Sequence, residues 1–200
     1  MRRILFVVML FVVVSLTKLT QAQIFNAGIS AGINISQIEG DGFAGYNKAG
    51  PAFGVFVNTF FSEKLAGQME INYSAKGSQR QPSLENPEYY RIDLRYVEIP
   101  ILARYFLPSG FVAEGGLSGG YLFKSAERDE VSEIPVTQPF RKTEFAFVGG
   151  IAWLVTGNIS LNPRFSYSII PVRKHAGGGT YRLNRGQNNN VISFIFQYRF

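Results

Sequence analysis

The sequence predicts an all-β fold, an eight-stranded antiparallel up-and-down transmembrane β-barrel. Three observations predict it. The last nine residues alternate, with Ile192, Phe194, Phe196, Tyr198 and Phe200 on one face and Ser193, Ile195, Gln197 and Arg199 on the other. An apolar, aromatic face beside a mixed to polar one suits lipid outside and a polar lumen inside. The same period of two recurs in eight segments, which is a strand signal and not a helix signal. The connections alternate between short turns and long polar stretches, the plan of a barrel that crosses a membrane repeatedly.

The first segment, Ile24 to Ser36, sets Phe25, Ala27, Ile29, Ala31, Ile33 and Ile35 against Asn26, Gly28, Ser30, Gly32, Asn34 and Ser36. The second, Ala52 to Phe61, turns Phe53, Val55, Val57, Thr59 and Phe61 outward. The third, Leu65 to Lys76, shows Met69, Ile71 and Tyr73 to lipid and Gln68, Glu70, Asn72, Ser74 and Lys76 to the lumen. The fourth, Ile92 to Leu107, presents Val97, Ile99, Ile101, Ala103 and Tyr105. The fifth, Phe111 to Ser125, presents Phe111, Ala113, Leu117, Tyr121 and Phe123. The sixth, Thr143 to Leu154, and the seventh, Ile159 to Ile170, carry Phe145, Phe147, Ile151 and Trp153, then Ile159, Leu161, Phe165, Tyr167 and Ile169. The closing segment is the eighth.

Residues 62–64, 108–110 and 155–158 are short turns, while 37–51, 77–91, 126–142 and 171–190 are long and polar. A soluble sandwich has no reason to alternate so strictly, and an even strand number leaves both termini on the short-turn side. Phe61, Tyr105, Phe111, Trp153, Tyr198 and Phe200 would ring that side, and Tyr73, Phe123, Phe145 and Tyr167 the other. Pro100 and Pro163 each remove a ladder donor, so a bulge is expected at each.

Residues 1–22 read as a secretory signal peptide, with Arg2 and Arg3, an apolar run of 11 residues from Ile4 to Val14, and Thr20-Gln21-Ala22 before a cut at Gln23. That run is too short for a membrane helix, which needs about 20 residues. Residues 23–200 then form one domain. Losing Arg2, Arg3 and Lys18 and no acid takes the formal charge from +6 to +3, too mild to argue for nucleic acid. With no Cys, disulfides, thiolate metal sites and Cys nucleophiles are excluded. No cofactor or metal site is expected.

Several segments together resemble the PorT-like family of outer-membrane β-barrel domain proteins, often labelled "porin family". They are AGISAGINIS at 27–36, GPAFGVF at 50–56, EINYSAKG at 70–77, YVEIPILARY at 96–105, residues 113–122, Val148-Gly149-Gly150 and the closing 194–200. The Tyr-x-Glu-Ile-Pro piece, after a strand ending in Lys-Gly, is the most specific. The resemblance implies an eight-stranded barrel in the outer membrane of a Gram-negative bacterium, reached by signal-dependent export, and says little about activity. One member type is linked to a protein-secretion and gliding system. A terminal Phe200, with Tyr198, looks like the signal read by the barrel-assembly machinery.

By parity the inward charges include Glu70, Glu98, Arg104, Glu114, Lys124, Glu144 and Arg164, with Lys76 and Arg199. A bore of eight strands has room only for side chains, so these must pair. Arg104 and Glu114 are equidistant from Ser109 and should oppose each other on adjacent strands. Lys124 and Glu144 mirror each other about a long loop, and Glu70 and Glu98, if neighbours, would need a cation such as Arg164. A packed polar plug is favoured over a selectivity gate. The single His, His175, has Ser166 and Ser168 on the preceding strand, but both face inward and no acid follows in that loop, so no Ser-His-acid set is evident and no enzyme is expected. Arg173, Lys174, Arg182 and Arg185 make the last long loop basic, which fits lipopolysaccharide phosphates or a solvated loop equally. Three roles follow: a structural or surface-recognition barrel, a narrow pore for small solutes, or an accessory subunit of a secretion machine.

Overall fold

The computed structural model describes residues 25–42, 45–80, 82, 89–129, 138–174 and 186–200. Within them run β1 (Phe25–Glu39), β2 (Lys48–Phe60), β3 (Leu65–Arg80), β4 (Tyr90–Phe106), β5 (Phe111–Arg128), β6 (Thr143–Leu154), β7 (Ile159–Ser168) and β8 (Asn188–Arg199). They form a closed antiparallel barrel in sequence order, with β1 pairing to both β2 and β8. Closure pairs every strand on both edges, the condition for placing sheet backbone in lipid.

Side chains alternate as period two requires. Ile29 and Ile33 are 50% and 44% exposed, while Ser30 and Asn34 beside them are buried. The outer face continues through Val55, Met69, Ile71, Ile101, Phe147, Ile151 and Phe196, all well exposed. An apolar patch this large is costly in water and suited to hydrocarbon. Stacked Phe53 and Tyr73, with ring centroids 4.7 Å apart, and Phe123 beyond them tile adjoining strands near the long-loop end.

The short turns are tight. Phe61 N–H donates to the Leu65 carbonyl at 2.8 Å, Leu107 N–H to Phe111 at 2.9 Å and Val155 N–H to Ile159 at 2.9 Å. Gly110 closes the middle turn at φ 80°, where a side chain would be strained.

Four departures from the sequence reading have physical causes. First, β1 to β5 and β8 run further into the long connections than the apolar alternation suggests. Beyond the belt the pattern inverts: Ile38, Ile92 and Leu94 point inward and are fully buried, while Glu39 and Arg95 are exposed. Above the hydrocarbon the outside is water, so the barrel there folds like a soluble one.

Second, neither proline makes a bulge. The β3–β4 ladder skips the pairs between Met69↔Ile101 and Asn72↔Glu98, and the β6–β7 ladder skips those between Gly150↔Arg164 and Trp153↔Leu161. Each then resumes in the same register, so the missing donor costs local pairing and no extra residue. Third, the register shift between β4 and β5 falls elsewhere. Arg95 pairs with Lys124 but Tyr96 with Leu122, leaving Phe123 as the extra residue. Fourth, the interior is not polar throughout. Ile38, Ile92, Leu94, Tyr96, Leu122, Phe140 and Val172 form an apolar core at the long-loop end.

Candidate functional site: a layered barrel interior

Inward residues stack in layers because each strand contributes every second side chain. In the middle, Arg164 on β7 joins two carboxylates. Its Nε donates to Glu114 Oε1 at 2.5 Å, and its Nη1 and Nη2 donate to Glu70 Oε2 and Oε1 at 2.9 and 2.8 Å. Glu70 also accepts from Gln68 at 2.5 Å, Asn72 at 2.7 Å and Gln197 at 3.2 Å. Arg104 stands opposite Glu114 in the β4–β5 ladder, with Nε 3.4 Å from Glu114 Oε2, and its Nη1 donates to Gln68 at 2.7 Å. All four charged groups are buried, which is tolerable only because they are paired.

Nearer the long loops lies a second network. Lys76 Nζ is 2.5 Å from Glu98 Oε1 and 2.6 Å from Glu144 Oε2. Glu144 Oε1 accepts from Asn189 Nδ2 at 3.0 Å and from the Ser168 hydroxyl. Lys76 also lies 4.5 Å from the centre of the Tyr96 ring, the boundary with the apolar core. Between the two networks is a cavity of about 50 Å³, with Asn72, Ser118, Ser166 and Ser193 among its lining.

Over the apolar core, Val172 N–H donates to the Gln187 carbonyl and Arg141 N–H to Val172, both at 2.7 Å. Arg173 packs 4.1 Å from the Phe140 ring centre, donates to Gln187 Oε1 at 2.7 Å and pairs with Glu127, which accepts from the Tyr90 hydroxyl. On the flank, Asp93 draws Lys48 at 2.6 Å, Arg91 at 2.9 Å and Arg128 at 3.6 Å.

Of the charges expected inside, Glu70, Arg104, Glu114 and Arg164 meet in one cluster, and Glu98 and Glu144 meet on Lys76. Glu70 and Glu98 are not neighbours: Glu98 pairs with Asn72, and Glu70 lies closer to the short turns. Lys124 is a correction. It is exposed on the outer face, because the extra residue Phe123 reverses the parity beyond Leu122. Glu144 sits opposite Gly120 in the unbroken β5–β6 ladder and pairs with Lys76 instead.

Arg199 is part-exposed at the short-turn rim, where it donates to the Gly157 carbonyl. Tyr198 and Phe200 stack edge-on at 5.9 Å beside the seam, and Phe200 N–H donates to the Ala27 carbonyl at 3.0 Å. The Arg173 guanidinium is held by Glu127 and Gln187, while His175, Arg182 and Arg185 lie outside the described residues. Gln68 and Gln197 face inward as their parity places them, but their bonds to Glu70 escaped the sequence reading, as did Asn189 and the apolar core. The core's signal was alternation that continues past the belt with its polarity reversed.

A closed eight-stranded barrel with an apolar belt and a paired, charged interior defines a membrane barrel protein. Residues 21–173 match the family described as outer membrane protein beta-barrel domain, and the chain belongs to that family. It is an integral outer-membrane β-barrel protein.

Among solved structures, it is similar to Ail, the attachment invasion locus protein of Yersinia pestis, in complex with the heparin analogue sucrose octasulfate. The identity is 14% and the TM-score 0.50, over 88% of this chain and 99% of Ail. Another Ail structure gives 16% identity and a TM-score of 0.50, over 88% of this chain and 98% of that one. Neisserial surface protein A is 12% identical, with a TM-score of 0.48, over 88% and 97%. At such identities the likeness concerns the fold alone. No curated protein matches the chain.

Proposed function

We propose that this protein is a non-conducting, non-enzymatic outer-membrane barrel of structural or surface-recognition type, working through its long-loop end. The observation that carries this reading is the apolar core of Ile38, Ile92, Leu94, Leu122, Phe140 and Val172, stacked on two networks of paired charges. An ion crossing the bore would have to leave water for an apolar layer, which is strongly unfavourable. In this reading the short turns and both termini face the periplasm, and the long loops face outward among lipopolysaccharide.

Residues 1–22 direct export and are removed, and Tyr198 and Phe200 present the assembly signal. The segments at 70–77 and 96–105 support a PorT-like branch from a Gram-negative bacterium. That branch also leaves room for an accessory role in a secretion machine, which crosslinking and pull-down from intact cells would expose. A non-catalytic role is supported by Ser168, whose hydroxyl is spent on Glu144 and is fully buried. Single-channel recording on refolded protein in planar bilayers tests the central reading. Baseline current is expected, and regular conductance steps would move the assignment to a narrow pore.

A further inference from the structure

Two rungs of the β4–β5 ladder set like charges opposite each other on the outer face. Arg91 pairs with Arg128, and nearer the short turns Arg95 pairs with Lys124. Side chains so placed lie about 5 Å apart at Cβ, where like charges destabilise a sheet. The upper rung has an anion to join it. Asp93 lies 2.9 Å from Arg91 and 3.6 Å from Arg128, and it also takes Lys48 at 2.6 Å. The lower rung has none. Arg95 and Lys124 are exposed, and among the described residues no carboxylate pairs with either. The nearby acids are committed, Asp93 to three cations and Glu127 to Arg173. The lower rung exists because of the extra Phe123, which turns Lys124 outward.

The lower rung also stands at a defined height. One outward position nearer the short turns, Tyr73, Val97 and Tyr121 form the row beneath it. Phe123 lies 6.0 Å from Tyr73, across β4, and Phe53 stacks on Tyr73 from the other side. Outward aromatic rows mark the level of the lipid headgroups. Arg95 and Lys124 therefore sit where the apolar belt ends, at the height of lipid phosphates. A guanidinium offers a phosphate two parallel hydrogen bonds, and an ammonium adds a point charge.

We propose that Arg95 and Lys124 hold the phosphate of a lipid in the outward leaflet, the glycolipid end of lipopolysaccharide, whose remainder lies against Phe53, Tyr73 and Phe123. The lipid phosphate takes at the lower rung the place that Asp93 takes at the upper one. The assignment rests on the reading that the long loops face outward.

The test titrates the mature chain, refolded in zwitterionic detergent, with diphosphorylated lipid A and measures retained lipid by native mass spectrometry. Saturable retention of one lipid per barrel is expected. Lipid A stripped of its phosphates should bind at least about tenfold more weakly, the loss of one charge-assisted contact. Inorganic phosphate at the same concentration should not displace the lipid. Arg95→Gln and Lys124→Gln should each weaken retention by about fivefold. Lys64→Gln, the same loss of charge in the 62–64 turn at the other end, should leave it unchanged. Lys124→Glu places a carboxylate opposite Arg95. It should remove lipid retention while the urea midpoint holds or rises, which separates lost binding from lost folding. Detergent exposes both ends of the barrel alike, so failure here is distinct from failure of the outward orientation or of the non-conducting reading. Equal retention of the dephosphorylated lipid would overturn the proposal, and so would displacement by inorganic phosphate, the mark of a free-anion site. Retention untouched in Lys124→Glu, a lowered urea midpoint in that variant, or an equal loss in Lys64→Gln would do the same.

Discussion

Arg164 is the residue on which the interior turns. It holds Glu70 from β3 and Glu114 from β5, and all three are buried. Arg164→Met leaves two buried carboxylates without their shared cation and should cost about 3–5 kcal/mol of unfolding free energy. In double-mutant cycles on refolded protein, Arg164 should couple to Glu114 more strongly than Arg104 does, since the contacts are 2.5 Å and 3.4 Å. Additive losses for Arg164 and Glu114 would contradict the network. On the outer surface, Ile71 is 50% exposed at mid-strand, and Asn72 beside it points into the bore. Ile71→Arg should destabilise the barrel by about 2–4 kcal/mol in urea titrations, because the charge enters hydrocarbon. Asn72→Arg should cost less, with Glu70 and Glu98 nearby to receive it. The reverse order would mean that the two faces are exchanged.

Among the elements, β8 has the most consequential position, since it closes the barrel by pairing with both β1 and β7. Its end presents Tyr198 and Phe200 outward, and the Phe200 amide extends the seam to Ala27. Deleting Phe200 removes one seam hydrogen bond and the terminal aromatic. Outer-membrane abundance, measured by fractionation, should fall while the purified, refolded variant keeps nearly all of its stability. Normal abundance in cells would rule out a role for the terminal residue in assembly. The pairing of β4 with β5 shows how one residue redirects an element: the extra Phe123 turns Lys124 outward, while the β5–β6 register sets Glu144 opposite Gly120, and its cation is Lys76 on β3. Parity counting assumes an unbroken ladder and cannot see an inserted residue until the partner strand is known.

The whole molecule has two solvents along one axis. Where lipid surrounds it, the outside is apolar and the inside charged. Above that belt, the inside is apolar and the outside charged, and the segments at 138–142, 171–174 and 186–187 pack over the opening. A barrel paired on every edge resists detergent until its ladder melts cooperatively. Boiled and unboiled samples of the refolded protein should therefore migrate differently on a detergent gel, and identical migration would count against closure.

The amino-acid sequence alone determined the number of strands, their order and the lipid-facing residues of the belt. All three rest on short-range facts: a side-chain period of two, and turns whose length decides whether neighbours pair. It also placed Arg104 opposite Glu114, because a three-residue turn fixes the register of the two strands it joins. Tertiary structure alone decided the rest. Glu70, Glu114 and Arg164 come from β3, β5 and β7, which share no edge and meet only because the sheet closes round a narrow bore. The apolar core is likewise assembled across the barrel from β1, β4, β5 and the returning loops. Contacts across a bore depend on the tilt, stagger and closure of all eight strands together, and no local pattern encodes that.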